Sequence, residues 1–82
     1  MYTPEMAKAF RSITPPTGFS LEIFDNEHFI TVKADAKQFF NLTDFDKRRA
    51  VEYMSKVKDA LEHNGAIVVL VRDGGEGLGF GY

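Results

Sequence analysis

The chain has 82 residues, 44% hydrophobic and 27% charged, with ten basic and twelve acidic side chains and a net charge of −2. One domain spanning residues 1–82 is the expectation, burying only about 60% of its unfolded surface, and the hydrophobic share excludes a disordered chain. The charge argues against a protein whose main task is neutralising a phosphate backbone, and the absence of cysteine excludes a disulfide scaffold, a thiolate nucleophile and a zinc–thiolate centre.

Thr3, Pro4 and Glu5 form a helix-start signature: a capping hydroxyl, a proline suited to the first turn, and a carboxylate at the positive end of the dipole. Met6, Ala7, Ala9, Phe10 and Ile13 supply an apolar stripe, so a short helix is predicted over about residues 4–12. The prolines at 15 and 16 stop it. Glu5 also interrupts the opening segment, which lacks the apolar core of a secretory signal.

Residues 19–24 and 29–34 alternate apolar and polar side chains, as half-buried strands do. A hairpin with Asn26 and Glu27 at its tip places Phe24 opposite Phe29, Ile23 opposite Ile30 and Leu21 opposite Val32. Phe19, Leu21, Ile23, Ile30, Val32 and Ala34 then share one face. Ser20, Glu22, Thr31 and Lys33 share the other, with Phe24 and Phe29 paired near the turn. Residues 35–42 read as either a helical turn or a connection.

A long helix is predicted from Thr43 or Asp44 to His63. Thr43 with Asp46 resembles a capping box; Asn41 is a rival cap, with Phe40 and Phe45 as its hydrophobic staple. Ala50, Val51, Met54, Val57 and Leu61 make the buried stripe, and Glu52 and Lys56 form a favourable pair on the polar face. Asn64 and Gly65 end the helix. Residues 66–71 are a continuous apolar run, predicted as a strand buried on both faces and parallel to the second hairpin strand.

Five of the last nine residues are glycine. They form neither G-x-G-x-x-G nor G-x-x-x-x-G-K-[ST], and no helix follows them here to aim its N-terminus at a phosphate. Asp73 and Gly74 suit a tight turn instead. That turn pairs Val69 with Leu78 and Ile67 with Phe80. Leu78, Phe80 and Tyr82 share one face of the resulting strand; Gly77, Gly79 and Gly81 share the other. A glycine face admits close approach, by this protein's own long helix or by a partner chain.

The predicted architecture is therefore α+β, in the order α-β-β-α-β-β. A mixed four-stranded sheet carries the long helix on one face, with a short N-terminal helix besides. Phe24, Phe29, Thr31 and Lys33 fall on the other face, where the N-terminal helix is the available cover.

Chemistry is sparse. Asp25, Glu27 and His28 at the hairpin tip are ordinary turn residues, and no second cluster completes a metal site. His63 beside a helix C-terminus reads as a dipole contact. No serine or histidine forms a nucleophile–base pattern, so no catalytic residue, metal or cofactor is expected. No stretch is long enough to span a membrane, and a disulfide-free small domain suits the cytoplasm.

The leading functional expectation is a non-enzymatic protein-interaction module, a regulator, inhibitor or assembly factor. It would contact a protein partner or itself through Leu78, Phe80 and Tyr82 with Gly77 and Gly79. The alternative is a nucleic-acid-binding domain using Lys47, Arg48 and Arg49 with Lys33, Phe24 and Phe29.

Overall fold

A computed structural model describes residues 2–73 of the chain. Its elements run α1 (Pro4–Ser12), β1 (Leu21–Asp25), β2 (Ile30–Asp35), α2 (Ala36–Phe40), α3 (Asp44–His63) and β3 (Val68–Asp73). Over the described residues this is a small α+β fold of three helices and a three-stranded sheet in which β2 is central. β1 pairs with it antiparallel and β3 pairs with it parallel.

Local chemistry sets the helix limits. The Thr3 hydroxyl accepts the Met6 N–H at 3.1 Å, and Pro4 occupies the first turn of α1. The Thr43 hydroxyl accepts the Asp46 N–H at 3.1 Å, making Thr43 the cap of α3. Such caps contribute about 1 kcal/mol each. Asn41 instead ends α2. Phe40 and Phe45 consequently form no staple and stay 54% and 63% exposed.

α3 closes with the Ala66 N–H donating to the Leu61 carbonyl at 3.0 Å and the Gly65 N–H to the Glu62 carbonyl at 2.9 Å. This pairing needs a left-handed residue, and Gly65 supplies it at φ +96°. At the start of β1, Gly18 at φ +83° follows Thr17 in a turn closed by the Phe19 N–H on the Pro16 carbonyl. That turn delivers Phe19 to the core.

The hairpin register differs from the expected one by two residues. Leu21 lies opposite Ala34, Ile23 opposite Val32 and Asp25 opposite Ile30, so residues 26–29 form the connection. The Asn26 N–H donates to the Phe29 carbonyl, and the Asn26 amide donates to Thr31 Oγ1 at 3.2 Å. Phe24 faces Thr31 rather than Phe29, which sits in the loop. A two-residue shift preserves side-chain parity, so Leu21, Ile30, Val32 and Ala34 are still buried.

α3 covers that inner face with Ala50, Tyr53, Met54, Val57 and Leu61, and α1 adds Met6 beside it. The helices thus lie together on one side. α1 packs on α3 rather than across the opposite sheet face. This overturns the expectation that β3 is buried on both faces: Val68 is 8% exposed but Val69 is 40% exposed. The proposed fourth strand, with Leu78, Phe80, Tyr82, Gly77 and Gly79, falls outside the described residues.

Candidate interaction surfaces

The first surface is the outer face of the sheet. Side chains alternate across a strand, and the register places Glu22, Phe24, Thr31, Lys33, Val69 and Val71 together on that side. Phe24 is 44% exposed, and the Lys33 ammonium lies 5.6 Å from its ring centroid. At the end of the sheet, the Ile30 N–H donates to the Ile67 carbonyl at 2.8 Å, extending the parallel pairing. Ile67 is 67% exposed there, close to Phe29 on the rim of a shallow cleft.

β3 is also an edge: among the described residues its only strand partner is β2. Its residues 68–71 are Val, Val, Leu and Val, without the lysine or proline that commonly blunts an exposed edge. The other edge strand, β1, carries Glu22 and Asp25, and Asp25 accepts the Tyr2 N–H at 2.9 Å. The two edges therefore differ: β3 is apolar over residues 68–71 before ending in Arg72 and Asp73, whereas β1 carries Glu22 and Asp25 among its five residues.

The second surface lies on the helical side, where α2 meets α3. A chain of aromatic edges leads to it from the core. Tyr53 and Phe19 have ring centroids 6.2 Å apart, Phe19 and Phe39 also 6.2 Å, and Phe39 and Phe40 5.6 Å, all edge-on. Burial raises the Tyr53 phenol above its ordinary pKa of 10.0.

At the outer end of this chain, the Lys47 ammonium lies 5.8 Å from the Phe40 centroid. Two residues on, and so on nearly the opposite side of α3, the Arg49 guanidinium lies 5.9 Å from the Phe45 centroid, an i,i+4 arrangement, and lines a separate cleft with Ile13 and Tyr53. Among the described residues, Lys47, Arg48 and Arg49 form no ion pair with a carboxylate. The i,i+4 ion pair on α3 joins Lys58 to Glu62 at 3.0 Å, not Glu52 to Lys56.

The structure separates the residues of the nucleic-acid alternative. Phe24 and Lys33 belong to the outer sheet face, Phe29 to the hairpin loop, and Lys47, Arg48 and Arg49 to the helical side. Sequence reasoning placed Phe40 and Phe45 only in a staple that went with the rival cap Asn41, and so did not bring Phe40 to Lys47. At the hairpin tip, His28 and Glu27 approach to 3.9 Å while both remain highly exposed. No group of three metal-ligating side chains occurs among the described residues, and no helix there is long and apolar enough to cross a membrane.

No protein-family model matches the chain, and no curated protein or solved structure is significantly similar to it.

Proposed function

We propose that this chain is a small non-enzymatic protein-interaction module, a regulator, inhibitor or assembly factor, that binds a protein partner or a second copy of itself through the sheet end at β3 and the glycine-rich residues that follow. The observation that carries the reading is the apolar edge of β3 beside an open sheet face bearing Phe24, Ile67 and Val69. An apolar edge of this kind is a template for another strand.

In this reading, residues 75–82 provide a fourth strand, antiparallel to β3 after a turn at Asp73 and Gly74. Pairing Val69 with Leu78 and Ile67 with Phe80 has a consequence for the faces. Val69 and Ile67 lie on the outer side, so Leu78, Phe80 and Tyr82 join them and Phe24 in one apolar surface. Gly77 and Gly79 then turn toward the helical side, where their lack of a side chain permits close approach. The aromatic pair Phe80 and Tyr82 anchors the partner. The non-enzymatic part rests on the sequence, whose serines and histidines follow no nucleophile–base pattern, and the cellular setting that suits such a module is the cytoplasm.

The test compares the full chain with a variant lacking residues 78–82. Each is captured from native extract after nuclease treatment, and the oligomeric state of each is measured by light scattering. The full chain is expected to retain a stoichiometric protein partner, or to self-associate, and the shortened chain to lose it. An unchanged partner set and oligomeric state refutes the site. Recovery dominated by nucleic acid, and lost with nuclease, replaces the proposal with a nucleic-acid-binding one.

A further inference from the structure

The geometry points to a second, independent binding site at the corner between α2 and α3, shaped for a short acidic peptide that inserts one apolar side chain. A cleft of about 360 Å³ opens there, walled by Phe39, Lys47, Arg48, Val51 and Glu52. Phe39 and Val51 pack against the core cluster, so the apolar part of the wall is anchored rather than loose. Its volume lies at the small end of ligand pockets and accommodates one large side chain rather than an extended ligand.

The rim supplies the charge complementarity. Lys47 and Arg48 present two cations with no carboxylate in ion-pair contact among the described residues. Lys47 is held over the Phe40 ring, an arrangement that restricts the side chain while leaving outward-facing N–H donors able to meet carboxylates. Asp44 and Asp46 occupy the first turn of α3 and face the positive end of its dipole. Glu52 is the one acidic residue of the cleft wall. It opposes an acidic ligand and thereby gives the site a diagnostic residue.

A single nucleic-acid strand suits this corner less well. The Phe40 ring, on which a base would stack, already carries the Lys47 ammonium. The outer sheet face takes no part, because the sheet lies between it and this corner.

Selection from a random linear peptide library against the full chain tests the site, followed by fluorescence anisotropy on synthesised winners and on labelled oligodeoxythymidine. Winners are expected to carry an apolar residue flanked by Asp or Glu. Their binding should weaken about tenfold in the Lys47→Gln/Arg48→Gln variant and tighten severalfold in Glu52→Gln, as rim charges act on complementary partners. Arg49→Gln, at a residue that lines a separate cleft, and Phe24→Ala, on the outer face, should leave it unchanged. No enrichment, enrichment without acidic residues, or winners indifferent to both the Lys47/Arg48 and Glu52 substitutions overturns the inference. So does oligodeoxythymidine binding that competes with the winners and shows the same dependence.

Discussion

Val68 and Val69 are neighbours on β3 with opposite fates, so one substitution made at each position tests the arrangement of faces. Threonine preserves the shape and β-branching of valine and adds one hydroxyl. At Val68, 8% exposed within the core cluster, that hydroxyl is buried among Ile30 and other apolar neighbours. An unsatisfied buried hydroxyl costs about 2 kcal/mol. At Val69, 40% exposed on the outer face, the hydroxyl reaches water and the cost is under about 0.5 kcal/mol. A chain of this length has a total stability of about 4–12 kcal/mol. Val68→Thr therefore removes a large share of it and lowers the melting temperature by about 8–16 °C, against less than about 4 °C for Val69→Thr. Thermal unfolding followed by far-ultraviolet circular dichroism reads both. Equal losses at the two positions, or a larger loss at Val69, would show that the outer face is packed and would refute the open surface.

Other consequences follow from the caps and from burial. Thr43→Ala removes the hydroxyl that accepts the Asp46 N–H and should cost about 1 kcal/mol in chemical denaturation; Asn41→Ala, which removes the rival cap, should cost clearly less. Gly65→Ala places its Cβ in open space but at φ +96°, so the cost comes from the backbone alone, about 1–2 kcal/mol; a neutral result would mean that the left-handed helix end does not form. Tyr53 has a pKa raised by burial above 10.0, so the folded state holds the phenolic proton more tightly than the unfolded state. Its contribution is fully present below the unfolded pKa and is lost as pH rises through the folded one. Alkaline denaturation should accordingly be shallower in Tyr53→Phe than in the parent, with phenolate absorbance reporting the missing titration.

The parts of this fold that were legible in the sequence are those with local causes. The start of α3 follows from Thr43 with Asp46, its end from Gly65, and the face partition of the hairpin from strict alternation. The register was not legible, because pairings that differ by two residues bury the same side chains. Hydrogen bonding within residues 26–29 settles the four-residue connection. Tyr53 was absent from the predicted stripe, yet it is 5% exposed, packed edge-on against Phe19. The continuous apolar run of β3 established a strand but carried no information about whether a second layer covers it. The basic–aromatic corner depends on α2 bringing Phe40 to Lys47 across a connection, a relation that spacing within α3 alone does not contain.

Hydrogen exchange of the full chain, alone and in its captured complex or self-association state, tests the proposed interaction most directly. The account predicts that β3 amides are already protected in the free chain by their pairing, and that binding adds protection to residues 75–82, the edge and aromatic anchors that meet the partner. Protection added only to α2 and α3, or no change along residues 75–82, would contradict it.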